Sequence, residues 1–366
     1  MDMRPVMILA GGTGGHVFPA LAVANELKQR GVPIIWVGTE KGIEAKVVPE
    51  AGYSLALMHV QGLRGKGFMQ YLRAPLIITK ALFESLKIVR KYNPCALLGM
   101  GGFVSGPCAL IGVLLRKPLI IHEQNAVVGL TNRILAPLSR IMFTGFPIQY
   151  KKAHLEYSGN PVRNELMCMA EPKVRLNRSN KKKRLLIIGG SLGALSLNNY
   201  LPQAIKIISQ SMKIDVWHQT GVNKRERVLW SYQQEDLQVQ VDEFIDDMAK
   251  AYAWADLIVC RSGAITLAEI AAVGLGSVLV PYPYAVDDHQ TQNARSYVDA
   301  GAACLLPESE MTAEKIATLL ETLLADDERL VSMAEAAKNL GHINASKRVA
   351  DACLDACGCN MAGQQS

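Results

Sequence analysis

Two segments of the chain share one pattern: MILAGGTGGH at residues 7–16 and LIIGGSLGA at residues 186–194. Each begins with an apolar run, continues through a pair of glycines and a further glycine, and ends where a helix is predicted to start. A strand that passes through a glycine turn into a helix is typical of the first unit of a Rossmann-like sheet. Because the pattern occurs once in each half, the sequence predicts two tandem Rossmann-like domains around a cleft.

Apolar runs alternate with amphipathic segments on both sides of a polar stretch at 171–184, as expected for parallel sheets covered by helices. The predicted strands are 6–10, 34–37, 96–99, 119–122, 140–143, 184–188, 214–218, 257–260 and 277–281. The predicted helices are 19–30, 69–92, 107–115, 197–211, 266–273, 312–324 and 345–357. Ligands of such sheets bind beyond the carboxyl ends of the strands, where the glycine loops are expected.

Length and composition fit two globular domains of very different charge. The chain has 366 residues, 49% of them hydrophobic, and a formal net charge of +6. Residues 1–160 carry 18 Lys and Arg against 8 Asp and Glu, a net of +10, whereas residues 161–366 carry 21 against 25, a net of −4. The basic half either approaches an anionic surface or ligand or is a solvated face with no partner.

No targeting peptide or membrane span is predicted. The N-terminus has only five apolar residues, at 6–10, too few for the core of a signal peptide. The uncharged window 95–115 is interrupted by glycines and Pro107, so a strand, a glycine loop and a short helix are expected there. The eight cysteines form no CxxC pair, which favours a reduced cytoplasmic protein. The cluster at 353, 357 and 359 has no matching His/Cys cluster, which disfavours a metal site.

The glycine loops predict a site for a diphosphate or another anion, because glycine permits close backbone approach and helix-start amides favour negative charge. A third cluster, GMGGFVSGP at 99–107, follows another predicted strand. The G-x-G-x-x-G fingerprint of nicotinamide and flavin enzymes fails at Val17 in the first loop and at Leu192 in the second. A P-loop kinase is excluded because no G-K-[ST] closes either loop.

Polar residues after the predicted strands are candidate site residues. His16 ends the first glycine loop and is either a structural histidine or a general base. The run HEQN at 122–125 either forms a turn or presents a carboxylate and amides to a sugar. In the second half, Thr266 and Glu269 fit a helix capping box, or Glu269 accepts hydrogen bonds from ribose hydroxyls. The acidic pairs at 246–247 and 287–288 are interpreted as loop residues, with no convincing metal site.

Taken together, these motifs resemble the MurG family, the UDP-N-acetylglucosamine:N-acetylmuramyl-(pentapeptide) pyrophosphoryl-undecaprenol N-acetylglucosamine transferases of bacterial cell-wall synthesis. The matching segments span nearly the whole chain: GGTGGHVFPALAVA at 11–24, GMGGFVSGP at 99–107, HEQNAVVGLTN at 122–132, GNPVR at 159–163, GGSLGA at 189–194, RSGAITLAE at 261–269 and DDHQTQNA at 287–294.

The resemblance implies an α/β protein of the GT-B glycosyltransferase fold, with an interdomain cleft. It implies an acceptor- and membrane-facing domain at 1–162, a UDP-GlcNAc-binding domain at 163–340, and a C-terminal helix at 341–366 that crosses back to the first domain. The implied reaction is inverting transfer of GlcNAc from UDP-GlcNAc to the C4 hydroxyl of the MurNAc of lipid I. The product, lipid II, serves peptidoglycan synthesis and thereby cell shape and division.

The resemblance also assigns site residues. Ser191 and Arg163 would contact the donor diphosphate, Ile245 the uracil and Glu269 the ribose, while Gln290 and Asn125 would bind the sugar hydroxyls. The remaining donor-site positions are Thr13, Gly14, Gly15, Ala264, Ile265, Thr266, Leu267 and Ala268. His16 is the candidate base and Glu123 the second candidate. No metal and no cofactor are implied.

Since the acceptor is a membrane lipid, the resemblance implies a peripheral protein on the cytoplasmic face of the inner membrane, with no nucleic-acid partner. The segment 69–92 places Leu76, Ile77, Leu82 and Phe83 beside basic residues, which suits contact with anionic lipid, although an ordinary inward-packing helix fits equally well. The alternative function is that of another GT-B UDP-sugar enzyme, a 2-epimerase or a lipid glycosyltransferase.

Overall fold

The structure is a computed structural model that describes residues 3–59, 68–177, 182–190 and 192–358; the side chains of residues 68–74 lie outside this description. The chain divides into two compact units. The first comprises residues 1–163 and 343–366, and the second comprises residues 164–342.

The first unit is built on a parallel sheet. Its described strands are β1 (Val6–Ala10), β2 (Ile34–Thr39), β3 (Ser54–Met58), β4 (Ala96–Gly101), β5 (Leu119–Glu123), β6 (Ile141–Thr144) and β7 (Leu155–Tyr157). They pair in the order β3-β2-β1-β4-β5-β6-β7. The order reverses between β1 and β4, which is the switch point where Rossmann-like sheets bind ligands.

Helices cover both faces of this sheet, so its central strands are apolar on both sides. They are α1 (Gly14–Gln29), α2 (Glu44–Glu50), α3 (Phe68–Tyr92), α4 (Ser105–Leu114) and α5 (Leu130–Leu135). The helices α1 and α2 pack into the core cluster on one face, and α3, α4 and α5 into the cluster on the other. The window at 95–115 is thus a strand, a loop and a short helix, as predicted. Among the described residues, no helix combines the length and apolar character needed to cross a bilayer.

The second unit repeats the design. Its described strands are β8 (Lys183–Ile188), β9 (Ile214–Gln219), β10 (Gln240–Asp242), β11 (Leu257–Cys260), β12 (Ser277–Leu279) and β13 (Ala303–Leu305), all parallel in the order β10-β9-β8-β11-β12-β13. Its described helices are α6 (Asn164–Met167), α7 (Pro172–Leu176), α8 (Leu195–Ser209), α9 (Arg225–Gln234), α10 (Met248–Trp254), α11 (Ala264–Val273), α12 (His289–Asp299), α13 (Ala313–Leu324) and α14 (Asp327–Asn339). The switch point of this sheet lies between β8 and β11.

The last described helix, α15 (Ala345–Ala356), packs on α1 in the first unit. Its Val349 and Cys353 are buried in the core cluster that α1 also lines, and Asp351 forms an ion pair with Arg30 at the end of α1. Just beyond the helix, Cys357 is disulfide-bonded to Cys95, the residue before β4. The expectation of a fully reduced chain is therefore wrong for this pair, because folding brings together two cysteines 262 residues apart.

Candidate functional site

The first glycine loop lies at the switch point of the first sheet, directly after β1. Gly12 has φ +96°, a conformation that glycine adopts without strain. Thr13 is the N-cap, and α1 begins at Gly14 rather than at Pro19 as predicted. The helix therefore starts inside the glycine motif, so the amides of Gly14 and Gly15 belong to its first turn, where anions are favoured.

A buried carboxylate holds this loop. Glu44, at the start of α2, is fully buried, and its carboxylate accepts hydrogen bonds from the amides of Gly12 (2.9 Å) and Thr39 (2.8 Å) and from the Thr39 hydroxyl (2.8 Å). A Cβ added to Gly11 would lie 2.6 Å from a Glu44 oxygen. The glycine at position 11 thus makes room for Glu44, a residue that the sequence patterns did not reveal.

The third glycine cluster packs against the first loop. Gly101 and Gly102 have φ +106° and +86°. A Cβ on Gly102 would lie 2.3 Å from the carbonyl oxygen of Gly11, and one on Gly101 would lie 2.6 Å from Nδ1 of His16. Two motifs far apart in sequence therefore form one surface, because they follow the paired strands β1 and β4.

His16 is held at this surface by a hydrogen bond. It is the third residue of α1 and half-buried, and its Nδ1 lies 3.1 Å from Oε1 of Gln124. Gln124 follows β5, is 1% exposed, and donates from Nε2 to the carbonyl of Met100 at 2.8 Å. The first and third glycine motifs and the HEQN run thus meet at His16.

Glu123 has a different environment from His16. It is buried at the end of β5, where one carboxylate oxygen accepts from the Asn125 amide (3.1 Å). The other oxygen accepts from the Gly129 amide (2.8 Å) and the Asn132 side chain (2.9 Å). Both oxygens therefore hold the loop that follows the strand.

Histidine 122 is a structural residue. It is fully buried, its Nε2 donates to the carbonyl of Gly159 at 3.0 Å, and burial lowers its pKa to about 4. Arg163, the last residue of the first unit, places its guanidinium 5.3 Å from the ring centre of Phe18 in α1. This cation–π contact holds Arg163 on the helix that starts at the first glycine loop.

The second glycine loop follows β8 and leads into α8. Gly190 and Gly193 have φ +81° and +70°, and the Gly193 amide donates to the carbonyl of Gly190 at 2.8 Å. A Cβ on Gly193 would lie 1.9 Å from the carbonyl oxygen of Thr220, so only glycine fits against the end of β9. Ser191, the predicted diphosphate contact, lies outside the described residues.

A row of buried, hydrogen-bonded polar groups supports this second loop. His218 in β9 has Nδ1 2.9 Å from the hydroxyl of Tyr232 and Nε2 3.1 Å from Oδ1 of Asn198 in α8. The Asn198 amide in turn donates to the carbonyl of Thr220 at 3.1 Å. Burial lowers the pKa of His218 to about 3 and raises the pKa of Tyr232. Both side chains are therefore uncharged at neutral pH.

The helix α11 carries the predicted donor-binding run 264–269. The capping-box interpretation of Thr266 is wrong, because the helix begins at Ala264 with Gly263 as its N-cap. Along the run, Ala264, Leu267 and Glu269 are buried, while Ile265, Thr266 and Ala268 are half-buried. Glu269 accepts a hydrogen bond from the hydroxyl of Tyr252 in α10 at 2.9 Å.

The remaining predicted contacts occupy loops and helix starts of the second unit. Ile245 follows β10 and buries its side chain. Gln290 is the second residue of α12, and its Oε1 accepts from the backbone amide of Tyr282 at 2.9 Å. Asp287 and Asp288 have positive φ and shape the turn before α12. Within the part of the chain that the structure describes, no cluster of three or more His, Cys, Asp or Glu could hold a metal ion.

Comparison with known proteins matches both halves of the chain. Residues 6–144 match the glycosyltransferase family 28 N-terminal domain, and residues 184–351 match the glycosyltransferase family 28 C-terminal domain. The chain is 49% identical over 351 residues to the UDP-N-acetylglucosamine–N-acetylmuramyl-(pentapeptide) pyrophosphoryl-undecaprenol N-acetylglucosamine transferase of Alkalilimnicola ehrlichii, covering 96% of this chain and 98% of that one. The protein of the same name from Nitrosococcus oceani is 48% identical with the same coverage. The crystal structure of Acinetobacter baumannii MurG is similar with a TM-score of 0.82 and 37% identity, covering 96% of this chain and 99% of that one.

Proposed function

The chain belongs to the MurG family within glycosyltransferase family 28, and from that premise we propose its reaction and the residues that perform it. The enzyme is an N-acetylglucosaminyltransferase of the GT-B fold. It transfers GlcNAc from UDP-GlcNAc to the C4 hydroxyl of the MurNAc of lipid I, which yields lipid II for peptidoglycan synthesis. The observation that carries this assignment is the meeting of the first and third glycine motifs and the HEQN run at His16.

The second unit binds the donor in this proposal. The first turn of α8 and the glycine loop before it, including Ser191, hold the diphosphate, because helix-start amides and the helix dipole favour anions. Ile245 binds the uracil through its backbone, the run 264–268 lines the nucleotide, and Glu269 accepts from the ribose hydroxyls. Tyr252 fixes one Glu269 oxygen, so that the carboxylate has a defined orientation.

The first unit supplies the base. The acceptor hydroxyl oxygen forms a bond to the anomeric carbon as the bond from that carbon to the UDP oxygen breaks, which inverts the configuration. The hydroxyl proton passes to His16, and the electrons of the broken bond go to UDP. Arg163 and the donor loop stabilise the diphosphate charge that develops. Thr13, Gly14, Gly15, Asn125 and Gln290 position the sugars.

His16 is the better candidate for the base than Glu123. Both oxygens of Glu123 already accept hydrogen bonds from the loop after β5 or from Asn132 in α5, so taking a proton there would disrupt this segment. We therefore assign Glu123 to shaping the loop that carries Asn125.

A membrane surface is proposed on the face of the first unit that α3, α4 and α5 cover. Leu76 and Phe83 in α3 are 74% and 58% exposed, and Leu114 at the end of α4 is 69% exposed. The inward side of α3 is formed by other residues, among them Ala81 and Val89, so the exposed apolar side chains are not needed for the core. Apolar groups beside basic ones suit peripheral contact with the anionic lipid of the inner membrane's cytoplasmic face.

A transfer assay tests the reaction. With radiolabelled UDP-GlcNAc and a lipid I analogue, we expect labelled disaccharide product. The variant His16→Ala should lower kcat about 10²- to 10⁴-fold, because it removes a general base, while donor affinity measured by calorimetry stays the same. The variant His154→Ala, at an exposed histidine of the same unit, is the matched control and should retain wild-type kcat.

Other outcomes have distinct meanings. Conversion of UDP-GlcNAc to its 2-epimer without acceptor would replace the proposed reaction with the epimerase alternative. Normal turnover of His16→Ala would reject the base while leaving the transferase assignment intact.

A further inference from the structure

The imidazole of His16 is held by an acceptor that dictates which of its nitrogens carries hydrogen. The Gln124 side chain bridges β4 and α1: Nε2 donates to the Met100 carbonyl at 2.8 Å, and Oε1 lies 3.1 Å from Nδ1 of His16. The opposite amide orientation would place two oxygens 2.8 Å apart, so the Met100 carbonyl fixes which end of the amide faces the imidazole. The Gln124 carbonyl also accepts from the Asn160 side chain at 3.0 Å, which anchors the backbone of this bridge.

An amide oxygen can only accept a hydrogen bond, so Nδ1 of His16 must be the donor. In a neutral imidazole the other nitrogen then has the lone pair. We propose that Gln124 is a positioning residue that holds neutral His16 as the Nδ1–H tautomer, with Nε2 as the basic atom. This inference rests on the proposed role of His16, and it adds which atom accepts the proton and which residue determines that choice.

Gly101 completes the arrangement by allowing the ring to lie against the backbone. A Cβ at this position would be 2.6 Å from Nδ1 and 2.7 Å from Cε1 of His16. The ring therefore lies against the Gly101 backbone and its Nδ1 edge faces Gln124. Two independent contacts determine its orientation, as a buried aspartate and its surroundings do for the histidine of a serine protease.

The tautomer can be measured directly in the intact wild-type protein. Long-range proton–nitrogen correlation spectra of protein with ¹⁵N-labelled histidine distinguish protonated from unprotonated ring nitrogens, and His16→Ala identifies the signals of His16. At alkaline pH, where imidazoles are neutral, we expect hydrogen on Nδ1 of His16. His122 and His218 are internal references of the opposite tautomer, because their Nε2 atoms face the Gly159 carbonyl and the Asn198 amide oxygen.

Removing the acceptor should change both tautomer and rate. Gln124→Leu keeps the approximate size of the side chain but cannot accept, so His16 should shift toward the Nε2–H form while His122 and His218 keep theirs. At metal-bound histidines, loss of the residue that orients the ring reduces metal affinity or activity about 10- to 100-fold, and we take the same range for His16. We expect this loss in kcat, with the KM for UDP-GlcNAc unchanged, which a general loss of structure would not produce.

The possible results separate this inference from the proposed function. A wild-type His16 in the Nε2–H form would overturn the inference, as would a Gln124→Leu variant with unchanged His16 tautomer and kcat. If the wild-type spectrum shows Nδ1–H but His16→Ala retains normal kcat, the assigned tautomer stands and the catalytic role of His16 fails. Unfolding of Gln124→Leu leaves the wild-type measurement as the decisive one.

Discussion

At the scale of single residues, the two candidate bases of the first unit differ in their hydrogen-bond partners. The resemblance to the MurG family made His16 the candidate base and Glu123 the second candidate. Their roles separate only when the partners are known: Glu123 is engaged by loop amides, whereas His16 meets Gln124 through one nitrogen. Nothing in the local pattern around Glu44 indicates its function, because the glycine loop that it holds is 32 residues away in sequence.

The hydrogen bond from Tyr252 to Glu269 makes the ribose contact testable at the same scale. Tyr252→Phe removes one hydrogen bond to the carboxylate, so we expect UDP affinity, measured by calorimetry, to fall about 2- to 10-fold. Glu269→Ala should weaken UDP binding further, because it removes the acceptor for the ribose hydroxyls. Tyr297→Phe is the matched control, since its hydroxyl bonds to the backbone carbonyl of Leu267 in the same helix.

The control defines the meaning of each result. Equal losses in Tyr252→Phe and Tyr297→Phe would indicate that α11 is merely destabilised. Unchanged UDP affinity in Glu269→Ala would remove Glu269 from the donor site.

At the scale of helices and strands, the sequence predicted the buried central strands and missed the edge strands. Each of the nine predicted strands overlaps an observed strand, whereas β3, β7, β10 and β13 were missed. These four are the edges of the two sheets as described, and each is short or partly exposed, so it lacks the continuous apolar run of a central strand. Helix starts at α1 and α11 were placed too late, because glycine-rich N-termini contain no apolar periodicity.

The two positive-φ glycines of the second loop differ in a way that predicts their response to mutation. An alanine at either Gly190 or Gly193 incurs the strain of a left-handed conformation, about 1–2 kcal/mol. At Gly193 the added Cβ also lies 1.9 Å from the Thr220 carbonyl oxygen, whereas at Gly190 nothing lies within 4 Å. We expect Gly193→Ala to lower the free energy of unfolding of the second unit by about 2 kcal/mol more than Gly190→Ala does.

Urea unfolding followed by hydrogen exchange within residues 183–342 measures this difference. Gly190→Ala is the matched control for the left-handed strain alone. Equal losses in the two variants would show that the approach of Gly193 to β9 does not constrain the loop.

At the scale of the whole molecule, the basic half of the chain also carries exposed apolar side chains on one group of helices, α3 and α4. Residues 1–160 carry the net charge of +10, and the exposed side chains of Leu76, Phe83 and Leu114 also belong to this half. In α3 the ammonium of Lys87 lies 4.6 Å from the ring centre of Phe83, so a cation accompanies an exposed apolar group. From sequence alone, the alternatives of inward packing and lipid contact remained equal, because periodicity does not reveal which of two apolar sets a helix buries.

Binding to lipid vesicles tests that inference. We expect the protein to bind vesicles of anionic phospholipid, less tightly as salt is raised and less tightly when the lipid is zwitterionic. Leu76→Ser combined with Phe83→Ser should weaken binding about 100-fold or more, because burying each side chain contributes about 1.5–3 kcal/mol. Trp230→Ser, at a side chain 61% exposed in the second unit, is the matched control and should bind like the wild type. If the control weakens binding as much as the double variant does, or if salt has no effect, the face formed by α3, α4 and α5 is not the membrane surface, and the basic charge of the first half serves only solvation.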